Sequence, residues 1–162
     1  MYKRQVLQFA ATVFTQIFQG TPLLLQLFLV FFGAPILGLD INPWLAAAAA
    51  LILNSGAFLG EIWRGCIQAV PRGQLEAAQA LSLSYYWRMR DVVLPQAMKI
   101  AVAPTVGYLV QIIKGTSLAA IIGFTEITRA GQIINNATFQ PLVVFGVVAA
   151  IYFVLCLSLI HI

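Results

Sequence analysis

The chain has 162 residues, of which 61% are hydrophobic and 9% are charged, and its net charge is +4. Because soluble domains average about a quarter charged residues, this composition excludes a soluble globular protein and indicates an integral membrane protein. The basic residues form no continuous basic face, which argues against nucleic-acid binding. The two cysteines, Cys66 and Cys156, have neither metal-binding nor redox spacing.

The two ends of the chain are expected to be foreign to the native protein. Codons for residues 2–5, read on the opposite strand and extended, can encode residues 157–162. We hypothesise that residues 1–5 and 157–162 are translated from one sequencing adaptor read in opposite directions, with a single membrane domain at residues 6–156. Finding these codons in intact genomic DNA would contradict the hypothesis.

The native sequence begins with a predicted amphipathic helix over residues 6–19. Its polar side chains fall on one helical stripe while apolar residues cover the rest, a pattern typical of a helix that leads into a membrane. The stripe consists of Gln8, Thr12, Gln16 and Gln19. Four later stretches are long and apolar enough to cross a bilayer, which requires about 20 residues. These predicted spans are residues 21–39, 43–63, 100–124 and 140–156.

The distribution of basic residues predicts the orientation of these spans. When Lys3 and Arg4 are set aside, most of the remaining basic residues lie between the second and third spans, in residues 64–99, and the turn around Asp40 has none. Short loops rich in lysine and arginine stay in the cytoplasm. Residues 64–99 are therefore predicted to be cytoplasmic, and residues 125–139, after the third span, are predicted to form an outer loop.

The segment 64–99 is predicted to contain two short helices, residues 74–81 and 85–93, separated by a bend at Ser82. Leu75, Ala78 and Leu81 recur at intervals of three, which gives the first helix a small apolar face. Neither helix is long enough to be stable alone. The unit therefore either docks a partner or packs back on the spans, and the residues themselves leave both alternatives open.

The same segment resembles the EAA loop of ABC importer permeases. The resemblance is carried by Glu76-Ala77-Ala78, the bend at Ser82 and Val92-Val93-Leu94-Pro95. Ser82 stands where the family pattern has glycine, and Val92 stands where it has isoleucine. Further motifs along residues 6–155 are similar to the polar amino acid uptake branch of these permeases. They are QGTPLL at 19–24, LNSGA at 53–57, EIWRG at 61–65, LPQA at 94–97, KGTSLA at 114–119 and TEITRAG at 125–131.

The resemblance implies an all-α membrane protein, a polytopic helical bundle of the type I ABC importer permease kind with five spans, of which four are visible. It implies the permease subunit of an ATP-driven importer of polar amino acids in a bacterial inner membrane, working by alternating access and not itself an enzyme. Implied partners are cytoplasmic ABC ATPases, which bind ATP and magnesium, a second permease subunit and a periplasmic or lipid-anchored solute-binding protein. This chain is expected to bind membrane lipid, but no cofactor, metal or nucleic acid.

The EAA resemblance also assigns residues to the coupling of ATPase and spans. They are Gly73, Glu76, Ala77, Ala78, Leu81, Ser82, Leu94 and Pro95. In that family a helix of this loop sits in a groove of the ATPase.

Charges within or beside a span are costly in lipid and tend to face a cavity or a partner. Together with the polar break after Lys114, they predict a substrate path or gate. Its residues are Lys114, Thr116, Ser117, Glu126 and Arg129. Alternatively, Lys114 pairs with Glu126 and only holds the outer side closed. The resemblance adds one departure, because the uptake branch commonly has aspartate where Gly115 stands. Loss of that acid either alters the preference for substrate charge or only relieves an ion pair with Lys114.

Two further assignments concern the second span. Glu61 and Arg64 lie three residues apart and are expected to form a structural ion pair. Asn54, Ser55 and Gly56 lie in mid-span, where small and amide residues favour close helix packing over substrate contact.

A rival interpretation is a non-transporting membrane scaffold or regulatory subunit that docks a cytoplasmic partner through residues 73–95. The sequence has no His or Cys cluster, no carboxylate pair at catalytic spacing and no phosphate-binding glycine loop, so a membrane enzyme is not indicated. Neither the amino acid carried nor the choice between homodimer and heterodimer follows from the sequence.

Overall fold

The computed structural model describes residues 2–161, with side chains from residue 5 onward, and every regular element in that range is helical. The α-helices are α1 (Tyr2–Gly20), α2 (Leu23–Ile36), α3 (Pro43–Gln68), α4 (Arg72–Ala80), α5 (Tyr85–Trp87), α6 (Leu94–Thr116), α7 (Ile127–Thr138) and α8 (Pro141–His161). The expected all-α fold is confirmed. Of the predicted adaptor-derived residues, 2–5 lie in α1 and 157–161 lie in α8, while residues 1 and 162 are outside the described range. The foreign origin of both ends stays a prediction.

Within residues 2–161, three helical segments are long and apolar enough to cross a membrane, namely Pro43–Gln68, Tyr85–Ile122 and Pro141–His161. The first predicted span, residues 21–39, is corrected, because α2 has only 14 residues and is bent by 103° from α1. Pro22, at the start of α2, has no backbone N–H and an extended backbone, so the helix is interrupted there. Together α1 and α2 are apolar and long enough for a fourth, broken span.

The first hydrophobic core joins α2, α3 and the 3-10 turn Ser117–Ile122 that follows α6. Ala46, Ala47 and Ala50 of α3 are buried there against Leu27 of α2. Small side chains let helix backbones approach closely in lipid, where no hydrophobic effect drives helices together. The alanine-rich start of α3 thus fixes α2 beside it.

The third span is longer than predicted. Residues 85–93 were expected to form a separate loop helix closed by Pro95, but α5 and the π-helical turn Arg88–Val93 run without a break into α6. Pro95 follows directly on the π-helical turn and does not interrupt the helical run Tyr85–Ile122. The second half of the loop and the third span therefore form one continuous helical rod.

The connection between the third and fourth spans, predicted as residues 125–139, contains a helix that the sequence analysis did not predict, Ile127–Thr138, which forms α7. The helix packs tightly on α8: a Cβ added at Gly131 would lie 2.7 Å from Val148 Cγ2. The absence of a side chain at Gly131 is what permits this approach. The preceding turn ends at Gly123, whose φ of +86° is a left-handed conformation that glycine adopts without a Cβ penalty.

Candidate functional site

The loop helix α4 has one face that packs on the chain and one face that is exposed. Ala78 is only 4% exposed, and Leu75 packs on a small buried cluster that includes Val70 and Val93. The opposite face follows the helical spacing i, i+3, i+4 and i+7. It consists of Gly73, Glu76, Ala77 and Ala80, which are all exposed. We call these four residues the outer face of α4.

This orientation corrects one of the predicted coupling residues. Ala78 is turned towards the body of the chain, so it contributes packing and cannot contact a partner in this conformation. The apolar stripe in the sequence identified the face that turns inward. Ala80 was missed, although its spacing from Ala77 and Gly73 places it on their face. Leu81, which is 75% exposed, lies at the edge of the outer face.

Ser82 ends α4 in a left-handed conformation, with a φ of +55°. Its N–H donates to the Gln79 carbonyl oxygen at 2.9 Å, and the N–H of Leu83 donates to the Ala78 carbonyl oxygen at 3.1 Å. These two bonds form a Schellman motif, which usually has glycine in the left-handed position. The bend expected at Ser82 is therefore present, and serine adopts the conformation for which glycine is favoured.

Leu94 and Pro95 lie apart from the outer face, at the start of α6. Gln96, in the same turn, donates to the Val92 carbonyl oxygen at 2.9 Å, and its Nε2 lies 3.5 Å from Oε1 of Gln74 on α4. Gln96 and the apolar contact of Leu75 with Val93 and Ala97 connect α4 to the third span.

A cavity of about 640 Å³ lies between the broken helix pair, α3 and the end of α6. Its wall combines apolar residues with amide, hydroxyl and ammonium groups. The polar members are Thr21, Asn54, Ser55, Tyr108, Gln111, Lys114 and Ser117. Lys114 is the one charged residue among those that line it, so within the described residues the wall has a cation and no carboxylate. Such a wall suits a polar solute that is neutral overall or negatively charged.

The break between α1 and α2 is held by a buried amide network. Gln26, which is 5% exposed, donates to the carbonyl oxygens of Phe18 at 2.9 Å and Thr21 at 3.0 Å. Asn54, on α3, donates to Gln26 Oε1 at 3.1 Å and accepts from the Tyr108 hydroxyl at 3.1 Å. In lipid, backbone groups freed by a helix break need partners from the protein. The network supplies them and ties the break to α3 and α6.

Two members of this network were missed in the sequence. Gln26 could have been noticed, because it is a single amide in the apolar run that follows Pro22. Tyr108 gave no signal, since its role depends on the stack of its ring on Phe58, with ring centroids 5.2 Å apart. Asn54 was expected mainly to allow close packing, and it forms the centre of the network instead.

Of the predicted substrate-path residues, Lys114 and Ser117 line the 640 Å³ cavity. The hydroxyls of Thr116 and Ser117 donate to the carbonyl oxygens of Ile113 at 2.7 Å and Lys114 at 2.6 Å, and so satisfy the end of α6. Lys114 also borders two further cavities, of about 440 and 300 Å³, beside α8.

The other two predicted path residues lie elsewhere. Glu126 is the N-cap of α7: its carboxylate accepts from the backbone N–H groups of Thr128 at 2.8 Å and Arg129 at 2.7 Å. It also accepts from the Tyr152 hydroxyl of α8 at 2.7 Å. Arg129 donates to Gln132 at 3.2 Å on its own helix.

The expected alternative, a Lys114–Glu126 ion pair, is not formed. Among the side chains of residues 5–161, the ion pairs within 4 Å are Glu61 with Arg64 and Arg90 with Asp91. Glu126 stabilises the start of α7 and its contact with α8 instead.

Glu61 and Arg64 meet on α3 in a bidentate contact, one arm of which is the 2.8 Å bond from Arg64 Nε to Glu61 Oε2. Both side chains are well exposed and border a groove of about 690 Å³ between α3 and α1. The predicted polar stripe of α1 lines the same groove. Its members there are Gln8, Thr12, Gln16 and Gln19.

Comparison with known proteins gives a consistent result. The model of a family described as binding-protein-dependent transport system inner membrane component matches residues 1–161. The chain is 36% identical over 156 residues to the probable amino-acid ABC transporter permease protein YckA of Bacillus subtilis (strain 168), covering 96% of this chain and 69% of that one.

Two further relatives have names that specify different amino acids. The arginine transport system permease protein ArtQ of Bacillus subtilis (strain 168) is 40% identical over 153 residues, which cover 92% of this chain and 68% of ArtQ. The glutamine transport system permease protein GlnP of Escherichia coli (strain K12) is 36% identical over 151 residues, which cover 92% and 69%. A crystal structure of an amino acid ABC transporter with histidines superposes with a TM-score of 0.91 at 35% identity, covering 96% of this chain and 72% of that one.

Proposed function

From its membership of the family of binding-protein-dependent transport system inner membrane components, to which this chain belongs, we propose that it imports polar amino acids by ATP-driven alternating access. The chain is a multi-pass membrane protein and a transport permease subunit of the amino-acid ABC transporter kind. Its proposed partners are two cytoplasmic ATPases that bind ATP and magnesium, a second permease subunit and a periplasmic or lipid-anchored solute-binding protein. Hydrolysis of ATP then takes place on the partner chains.

The outer face of α4 is the observation that carries this proposal. A helix held on one side by Leu75 and Ala78 presents small residues and one carboxylate, Glu76, on the other. Small side chains permit a partner groove to approach closely, and a carboxylate offers a charge-assisted contact. Because Leu75 of α4 packs on Val93 and Ala97, which belong to the rod that forms the third span, a movement imposed on α4 would reach the membrane-embedded helices.

Replacing Glu76 by lysine tests this coupling. We expect Glu76→Lys to lower ATP-driven uptake at least tenfold, because the reversed charge opposes the proposed contact at the centre of the outer face. Gln79→Lys is the matched control, since Gln79 is exposed on the same helix but outside that face. The measurement is uptake of labelled amino acids into proteoliposomes that contain the complete gene product and its partners.

The control should transport normally, and both variants should reach the membrane in equal amounts. Equal uptake by Glu76→Lys and the parent protein would contradict the proposal. If the parent binds an ATPase through residues 73–95 but carries no amino acid with any solute-binding protein encoded nearby, the scaffold interpretation is favoured instead.

We propose that the 640 Å³ cavity is part of the substrate path, with Lys114 attracting the carboxylate of an amino acid. The polar groups on its wall and its position at a helix break support this assignment, since broken helices expose backbone groups that bind polar solutes in membranes. Gly115, on the same wall, leaves the cavity without an acid. We therefore infer that neutral or acidic amino acids are preferred over basic ones.

Restoring an acid at this position should change the preference. A Cβ at Gly115 would lie 3.1 Å from Leu23 Cδ2, the flexible end of a side chain, so a small shift accommodates it. We expect Gly115→Asp to raise uptake of arginine or lysine relative to glutamine about tenfold, whereas Gly115→Ala, which adds bulk without charge, keeps the original ratio. Competition assays between basic and neutral amino acids measure this uptake ratio. An unchanged ratio in Gly115→Asp would contradict the proposal that the cavity is part of the substrate path.

A further inference from the structure

A second, almost entirely apolar groove of about 590 Å³ opens between α3 and α6, away from the polar cavity. Its long wall is one face of α6, on which Pro95, Met98, Val102 and Val106 recur at helical spacing. Trp63 of α3 forms the opposite rim and is 37% exposed. The groove begins at the end of α6 that follows the basic loop.

The length of the groove matches one leaflet of a bilayer. From Pro95 to Val106 the helix rises about 16 Å at 1.5 Å per residue. The hydrocarbon core of a bilayer is about 30 Å thick, so one leaflet contributes about 15 Å. An acyl chain that enters at the Pro95 end would therefore lie along the groove and end near Val106.

The mouth of the groove has a cation, Lys99. Lys99 lines the groove in the turn that follows Pro95, and it takes part in none of the ion pairs found among the side chains of residues 5–161. A lysine at the membrane surface attracts anionic headgroups. Trp63, on the other rim, has the amphipathic ring typical of residues at headgroup level. The apolar groove, which is as long as one leaflet is thick, therefore has at its mouth the ammonium group of Lys99, which forms no ion pair with the side chains of residues 5–161.

We propose that this groove is a binding site for an anionic phospholipid, with one acyl chain between Trp63 and the face of α6 and the headgroup phosphate on Lys99. The proposal depends on the chain being embedded in a membrane and is independent of the solute it carries. In the topology proposed above, the lipid belongs to the cytoplasmic leaflet. We expect the groove to bind an anionic lipid about fivefold more tightly than a zwitterionic lipid, because one lysine at the membrane surface attracts an anionic headgroup by about that factor.

Trp63 provides the measurement, because brominated lipids quench tryptophan fluorescence at contact. With Trp44→Phe and Trp87→Phe, Trp63 is the remaining tryptophan of the chain. The complete transporter with its partner subunits would be reconstituted in vesicles containing brominated phosphatidylglycerol or brominated phosphatidylcholine. The signal of the same complex with Trp63→Phe would be subtracted, so that tryptophans of the partner subunits do not contribute. We expect phosphatidylglycerol to have a relative binding constant about fivefold higher at Trp63. Lys99→Gln should bring the two lipids to parity, and Lys99→Arg should keep the difference.

Matched controls separate the site from general lipid contact. A chain with Trp44 as its only tryptophan reports on the opposite end of α3, where we expect no preference for either lipid. Val102→Phe, inside the groove, should weaken quenching of Trp63, whereas Val143→Phe on α8, at a valine with the same 62% exposure, should not. Equal quenching by both lipids in the parent protein would overturn the proposal. So would a lack of quenching by either lipid, which would mean that a second copy or another protein covers this face.

Discussion

Replacing Ala77 by aspartate should abolish ATP-driven uptake and leave the stability of the chain unchanged, whereas the same replacement at Ala78 should destabilise the fold. Ala77 is exposed on the outer face of α4, where a new carboxylate remains in water but obstructs a closely fitting partner. Ala78 is 4% exposed, so its aspartate would be buried without a partner at a cost of roughly 3 kcal/mol or more. The same substitution at two neighbouring alanines thus separates a loss of partner binding from a loss of stability.

Uptake in proteoliposomes, co-purification of the ATPase and thermal unfolding in detergent measure the two effects separately. Ala77→Asp should melt like the parent protein and lose the ATPase, and Ala80→Asp, on the same face, should behave as Ala77→Asp does. Ala78→Asp should lower the melting temperature or the yield. Normal transport by Ala77→Asp would show that the outer face is not a docking surface.

Replacing Asn54 by leucine should impair both stability and transport, because Asn54 joins the helix break to α3 and α6. Leucine is of similar size but removes the donor to Oε1 of Gln26, which is 5% exposed, and the acceptor of the Tyr108 hydroxyl at the cavity wall. Each buried polar group left without a partner costs about 1–3 kcal/mol. We therefore expect a clearly lower melting temperature and a loss of uptake of at least tenfold.

Tyr108→Phe is the graded control for this prediction. It removes one hydroxyl and keeps the ring that stacks on Phe58, so we expect a loss of about 1 kcal/mol, the usual contribution of a single hydrogen bond. Melting curves and uptake should rank the parent protein first, Tyr108→Phe second and Asn54→Leu last. If Asn54→Leu were as stable and active as the parent protein, the network would not be what holds the helix break.

The helical fold and the long spans could be predicted because hydropathy and segment length act locally along the chain. The break between α1 and α2 had a local signal as well, since Pro22 disfavours a continuous helix. What stabilises the break could not be predicted, because the bond from Asn54 to the Phe18 carbonyl oxygen joins residues 36 positions apart. Contacts of that kind exist only once α1 and α3 have packed.

The periodicity of a helix also does not show which of its faces turns towards the rest of the chain. The spacing of Leu75 and Ala78 correctly predicted an apolar face, but only the packed chain shows that this face turns inward and that Glu76 and Ala77 turn outward. In the same way, the position of Glu126 in the sequence did not indicate that it caps a helix. Its charge beside a span suggested a role in a gate. Its contact with the Tyr152 hydroxyl could not be predicted, because that hydroxyl comes from another helix.

The break between α1 and α2 separates a helix held in the first hydrophobic core from a helix that lies outside it. α2 packs against the alanines of α3 and the turn after α6. α1 is joined to α3 by the bond from Gln19 to the Ala57 carbonyl oxygen at 3.3 Å and by the bond from Asn54 to the Phe18 carbonyl oxygen at 3.3 Å. The angle between α1 and α2 therefore depends on a few side-chain amides that bond to backbone carbonyl groups, and much less on apolar packing.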